Sequence, residues 1–143
     1  MTRLSWKVVL PRTAYNAFRE TCYQVYPKEH LSALVGTVED AVVVVTDFLG
    51  LHHTHPNKNT IDYGEDALAS AKMRAVRQGK RFVGTIHSHP GTGACPHPSR
   101  QDMLSGVADG ELVMGILYVW RDRRFHSTLE FFEPRPPIKV SFR

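Results

Sequence analysis

The segment Phe82-Val-Gly-Thr-Ile-His-Ser-His-Pro90 is the most informative part of this 143-residue sequence. Its apolar, β-branched first part, Phe82 to His87, predicts a strand. Side chains two residues apart on a strand point to the same side, so both imidazoles, His87 and His89, are expected to face one point. Neutral imidazoles are common zinc ligands. The segment therefore predicts a strand that ends in two candidate metal ligands.

The rest of the chain predicts helices and strands in alternation around this segment. Apolar residues at helical spacing predict the helices, and β-branched runs bounded by turn residues predict the strands. The helices are predicted over 13–26, 64–78 and 99–107, and the strands over 31–38, 41–49, 82–87, 111–120 and 125–132. The resulting order, α-β-β-α-β-α-β-β, is an α/β fold in which a mixed sheet is flanked by helices.

Length and composition favour one globular domain over residues 1–143, with a core over about 12–132 and a Pro-rich tail over 133–143. A hydrophobic fraction of 42% and a charged fraction of 22% exclude disorder and collagen-like repetition. No apolar run is long enough to span a bilayer or to form a signal peptide, so a cytoplasmic protein is expected. Neither cysteine lies in a CxxC pair, which excludes a zinc ribbon.

The charge balance is mildly basic. Lys and Arg number 18 against 14 Asp and Glu, which gives a formal charge of +4. The basic residues are scattered over 72–81, 121–124 and the tail, as expected for a solvated surface. Nucleic-acid binding is therefore a minor hypothesis.

A third candidate ligand follows in Ser99-Arg-Gln-Asp102, which opens the predicted third helix. Taken alone, Ser99 and Asp102 form a capping box, and that interpretation stays open. Together with His87 and His89, however, they bring two imidazoles, a carboxylate and a hydroxyl into one small volume. A carboxylate with two imidazoles suits zinc and leaves the metal a vacant position for water.

This arrangement resembles the signature of the JAMM (MPN-plus) metalloprotease family, in which a distant Glu is followed by His-Ser/Thr-His-Pro and then Ser-x-x-Asp. The segment Glu29-His-Leu-Ser-Ala-Leu-Val-Gly36 is similar to the family's opening strand. The resemblance implies a single MPN/JAMM domain with a cytidine-deaminase-like fold and one Zn²⁺ per chain. It implies that His87, His89 and Asp102 bind the metal, that Glu29 deprotonates the bound water, and that Ser99 stabilises the oxyanion. By position alone, Glu29 would be a surface residue before a strand.

The resemblance further implies hydrolysis of a peptide or isopeptide bond after the C-terminal Gly of a ubiquitin-like or sulfur-carrier protein. Two alternatives stay open. One is a peptidase of a phage tail or cell-wall system, and the other is a non-catalytic MPN interaction scaffold. A homodimer is also compatible with the sequence, whereas a membrane partner is not expected.

The loop from Pro90 to Pro98 is longer than the family's usual spacing and contains Cys95 and His97. Either side chain could approach the metal, but a fourth protein ligand would remove the vacant position. A second His-x-His-Pro, starting at His53 and including His55, lies in a predicted loop and is not followed by Ser-x-x-Asp. We expect these histidines to be exposed loop residues. Together with Ser88 they are candidates for the border of a substrate groove, and the substrate-binding residues are otherwise unknown.

Overall fold

A computed structural model describes residues 6–51, 65–91, 112–132 and 138–143. Within these ranges the chain forms two helices and one seven-stranded sheet, whose order is β6-β5-β4-β2-β3-β1-β7. Their bounds are β1 (Lys7–Leu10), α1 (Arg12–Val25), β2 (Leu31–Glu39), β3 (Val42–Gly50), α2 (Glu65–Arg77), β4 (Arg81–Pro90), β5 (Val113–Arg121), β6 (Phe125–Phe132) and β7 (Lys139–Phe142). The pairs β4–β5, β1–β3 and β1–β7 are parallel, and the other pairs are antiparallel.

The two helices cover opposite faces of the sheet. The buried face of α1 presents Phe18 and Cys22 to the larger hydrophobic core, which contains Leu34 of β2. A smaller core joins Leu68 of α2 to Leu31 of β2. Because alternate residues of β2 enter different cores, both faces of the strand are buried, as its continuous apolar sequence requires. No helix in the described ranges is long and apolar enough to cross a bilayer.

The β2–β3 hairpin closes through a tight turn at Asp40 and Ala41. Both residues have positive φ, 49° and 61°. Positive φ at both central positions is typical of the two-residue turns that match the twist of the flanking strands. The predicted hairpin is therefore confirmed, with its turn one residue later than expected.

The sheet extends beyond the predicted core at one edge. Strand β1 pairs with β3 and with β7, so residues 7–10 and 139–142 belong to the sheet, although the sequence analysis placed them outside it. Both strands have four residues. Their pairings are parallel and long-range, so the segments carry no local turn or periodicity signal. The helix predicted over 99–107 lies outside the described residues.

Gly84 of β4 lies against the backbone at the start of β5. A Cβ atom at this position would lie 1.9 Å from the carbonyl oxygen of Val113. The two strands would have to separate, so we expect Gly84→Ala to lower the free energy of unfolding by about 1–3 kcal/mol. Gly50→Ala is the matched control, because no described atom lies within 4 Å of its added Cβ. Denaturant unfolding of both variants measures the difference, and equal losses would contradict the steric explanation.

Candidate metal centre

Strand β4 carries both predicted histidine ligands and is longer than the sequence indicated. It runs to Pro90, because β5 supplies parallel partners along its whole second half, ending with His89 opposite Tyr118 and Pro90 opposite Val119. His87 and His89 therefore lie on one side of a continuous strand, with ring centroids 6.5 Å apart and the ring planes at 81°. His87 is buried, at 6% exposure, whereas the side chain of His89 is 52% exposed.

Glu29 lies beside His89 because of the antiparallel register between β2 and β4. Leu31 is paired with His87, and continuing this register by two residues places Glu29 opposite His89. Glu29 Oε1 lies 3.0 Å from His89 Nδ1. An ionised carboxylate only accepts hydrogen bonds, so Nδ1–H is the donor and Nε2 keeps its lone pair for a metal. The contact joins the predicted general base to a predicted ligand.

Ser88 points to the opposite face of β4 from the two histidines. It is 2% exposed, so it lies in the interior. The prediction that Ser88 borders a substrate groove is therefore wrong. Its Oγ accepts the His30 N–H at 2.8 Å, and its own N–H donates to the His30 carbonyl at 2.9 Å. Cys22 of α1 lies against this hydroxyl, and burial raises the pKa of the thiol to about 12. Ser88 therefore holds the residue that follows Glu29.

We expect Ser88→Ala to lower the free energy of unfolding by about 1–3 kcal/mol, because the half-buried His30 N–H loses its acceptor. Ser141→Ala is the matched control, since Ser141 is exposed on β7 and a surface change of this kind stays within about 0.5 kcal/mol. Denaturant unfolding measures both variants. Equal stability of the Ser88→Ala and wild-type proteins would show that this hydrogen bond contributes nothing.

The family of the chain follows from its sequence as a whole. The profile of the Prok-JAB family, described as prokaryotic homologs of the JAB domain, matches residues 11–128. The chain belongs to this family. The match confirms the resemblance to the JAMM/MPN proteins, and its range spans the positions of Glu29, both histidines of β4 and the Ser99-x-x-Asp102 segment. No curated protein matches this chain.

Two solved structures share the fold of this JAB domain. The solution structure of a protein from Desulfitobacterium hafniense superposes with a TM-score of 0.70 at 15% identity, over 95% of this chain and 92% of that chain. The crystal structure of a JAB1/MPN domain protein from Archaeoglobus fulgidus superposes with a TM-score of 0.58 at 18% identity, over 99% of this chain and 100% of that chain. Both confirm the α+β fold with its mixed sheet, and the second is named as a JAB1/MPN domain protein.

One neighbour of the JAB-domain histidines was not identified from the sequence. The ring of Tyr118, on β5, meets the ring of His89 edge-on, with centroids 5.9 Å apart. Tyr118 is 6% exposed, so its buried ring shields one side of the His89 ring from solvent. Only the parallel register of β4 and β5 brings the two residues together, and nothing in the local sequence around Tyr118 signals it.

The donor set of the described residues fits zinc. It consists of two imidazoles on one strand face, His87 and His89, with the Glu29 carboxylate orienting the more exposed ring. Nitrogen donors of this kind, held by an outer carboxylate, are typical of zinc sites. Among the residues that the structure describes, no three His, Cys, Asp or Glu side chains are grouped closely enough to hold a metal by themselves.

The other predicted site residues lie outside the described residues. They are the third ligand Asp102, the oxyanion donor Ser99, the loop residues Cys95 and His97, and the groove residues His53 and His55. The structure thus brings together three of the five predicted catalytic and metal-binding residues, Glu29, His87 and His89.

Proposed function

We propose that this JAB-domain protein is a zinc-dependent hydrolase of peptide or isopeptide bonds. The observation that supports the proposal most directly is the 3.0 Å contact between Glu29 and His89. His87 lies two residues before His89 on β4 and therefore faces the same side of the sheet. A carboxylate next to a pair of imidazoles is the combination that metal-assisted amide hydrolysis requires. The membership of the JAB family supports the same activity.

In this proposal His87, His89 and Asp102 hold the zinc ion. When bound, zinc supplies Lewis-acid polarisation of a carbonyl group and acidifies a water molecule. His87 is buried in β4, so its ring needs little ordering before it binds a metal. His89 is kept in one tautomer by the carboxylate of Glu29, which is the role that outer carboxylates have at zinc-binding histidines.

Glu29 is the proposed proton carrier. Its side chain is 13% exposed and lies at the edge of the site. It would take a proton from the attacking water and pass it to the leaving amine, a contribution of roughly 10²–10⁴ in rate. Ser99 would donate a hydrogen bond to the carbonyl oxygen as negative charge develops on it, which is worth roughly 3 kcal/mol for one donor.

We propose that the substrate is a ubiquitin-like or sulfur-carrier protein cleaved after its C-terminal Gly. The side chain of His89 is half-exposed and lies at the carboxyl end of β4, and in this proposal an extended chain end binds beside it. A free chain end that finishes in glycines is narrow enough to approach such a surface without unfolding its own domain.

Metal removal tests the proposed activity. We expect cleavage of a ubiquitin-like protein fused through its C-terminal Gly to a reporter to stop when a chelator removes the zinc, and to return when zinc is added. Electrophoresis of the products measures the reaction, and a fusion with Gly replaced by Val at the cleavage point is the control. Generic and cell-wall peptides, tested in parallel, separate the alternative peptidase activities. Purified protein that holds no zinc and cleaves none of these substrates would support the non-catalytic scaffold instead.

A further inference from the structure

The β5–β6 hairpin lies at the same end of the sheet as the candidate metal centre. Strands β4 and β5 are parallel, so His89 and the C-terminal end of β5 lie at one edge, with Tyr118 opposite His89. Trp120 follows Tyr118 by two residues and therefore points to the same side of the sheet. Its ring stacks on that of His126, its partner across the hairpin, with centroids 5.5 Å apart and planes at 16°. Two aromatic pairs, His89 with Tyr118 and Trp120 with His126, thus lie on one side of the sheet between the site and the hairpin turn.

The turn itself is exposed and strongly basic. Arg121, Asp122, Arg123 and Arg124 are all exposed. The one acidic group among them is used inside the hairpin, because the Asp122 carboxylate accepts the N–H of Arg124 at 3.2 Å and contacts His126 Nε2 at 3.0 Å. It also accepts the N–H of Arg123. Asp122 therefore shapes the turn, and the arginines give the turn its net positive charge.

These residues form a concave surface on the side of the metal centre. The hairpin concavity, lined by Asp122, Arg123, Arg124 and His126, has a volume of about 510 Å³. The turn begins three residues beyond Tyr118, which at about 3.3 Å per residue corresponds to roughly 10 Å of strand. A substrate chain whose end lies at His89 would therefore pass or touch the concavity with residues a few positions upstream.

We propose that the hairpin concavity is a docking surface for an acidic segment of the substrate protein, located a few residues upstream of the cleaved bond. This inference rests on the proposed hydrolase function and adds the charge of the substrate. Arginine is the residue best suited to the task, because its guanidinium binds carboxylates through two parallel hydrogen bonds. Complementary charge next to a site raises the association rate and the specificity for a partner more than it raises the affinity.

An acidic protein segment fits this surface better than a nucleic acid does. The arginines of this turn span only residues 121–124 at one end of the sheet, whereas a duplex is bound by contacts to many phosphates along its length. The formal charge of the whole chain, +4, is modest. The concavity also lies on the side of His89, so its occupant and the cleaved bond can belong to one molecule.

A pair of peptides tests the proposal. Both end in Leu-Gly-Gly linked to aminomethylcoumarin, and they differ only in carrying a short run of glutamates or of glutamines a few residues upstream. For the wild-type protein with zinc, we expect kcat/KM for the acidic peptide to be about tenfold higher than for the neutral one at low salt. The preference should vanish near 1 M salt, where the screening length is only about 3 Å. Fluorescence anisotropy of labelled, uncleavable forms of both peptides measures binding independently of hydrolysis.

Matched charge variants localise the effect. Arg123→Glu combined with Arg124→Glu should abolish the preference for the acidic peptide. Arg123→Gln combined with Arg124→Gln should reduce the preference without reversing the charge. The control is Arg74→Glu combined with Arg77→Glu in the last turn of α2, because these exposed arginines precede β4 and lie at the other end of that strand. This control has the same net charge as the first variant and should keep the preference.

Each outcome is decisive for the surface or for the activity. An equal loss in the hairpin and α2 variants would mean that only net charge matters, and would overturn the docking surface. The absence of any preference for the acidic peptide would also overturn the docking surface. Tight binding of duplex DNA that depends on Arg123 and Arg124, without a peptide preference, would overturn it as well. If the acidic peptide binds preferentially and neither peptide is cleaved, the docking surface stands and the proposed hydrolase function fails. Thermal unfolding of every variant checks that the hairpin is folded.

Discussion

The His87→Ala protein is expected to lose its bound zinc and, with it, hydrolytic activity by about a thousandfold or more, which corresponds to roughly 4 kcal/mol of transition-state stabilisation. His87 is 6% exposed and is one of only three proposed ligands. The strand that holds it is paired on both sides, with Leu31 and with Ile116, so β4 cannot shift along its neighbours to bring another of its own side chains into this place. Metal analysis of the purified protein and the rate of fusion cleavage measure the two losses.

The control for this change is His126→Ala, which removes a histidine of the β5–β6 hairpin and should leave the zinc content unchanged. Unfolding of both variants in the presence of a chelator separates loss of the metal from loss of packing around a buried ring. Stoichiometric zinc in the His87→Ala protein would mean that the metal is held elsewhere, for example by the residues around His53. The assignment of the metal centre to β4 would then be wrong.

The Glu29→Gln protein is expected to keep its zinc and to lose activity by roughly 10²–10⁴-fold. Glutamine has nearly the same shape as glutamate, and its amide oxygen still accepts the hydrogen bond from His89 Nδ1, which lies 3.0 Å from the carboxylate. What disappears is the ability to take and return a proton. Metal analysis should therefore give the wild-type value while kcat falls.

Glu29→Ala separates the two functions of this carboxylate. Without any acceptor for Nδ1–H, the ring of His89 loses its orienting partner, and zinc affinity should fall by about 10–100-fold. Competition with a chelator of known affinity measures this change. If Glu29→Gln and Glu29→Ala lower zinc affinity equally, the charge of Glu29 supports the metal directly. If Glu29→Gln turns over at the wild-type rate, Glu29 is not the general base.

Much of the fold could be predicted because its central elements carry local signals. The hairpin of β2 and β3, the helices α1 and α2, and the strands β5 and β6 follow from periodicity and turn residues within each segment. The edge strands β1 and β7 could not be found in this way. Each has four residues, and each is stabilised by parallel pairing with segments far away in the chain, so the decisive partners are absent from the local sequence.

The candidate site shows the same division between local pattern and long-range contact. The sequence alone placed two imidazoles on one strand face, because alternation along a strand is a property of the backbone. The distant glutamate was identified only through the resemblance to the JAMM family. The sequence could not show that Ser88 points inward to hold His30, that Glu29 contacts His89, or that Tyr118 lies against the same ring. Those facts depend on the register between strands that are distant in the chain, and register is set by how the apolar faces of all the strands and helices pack together.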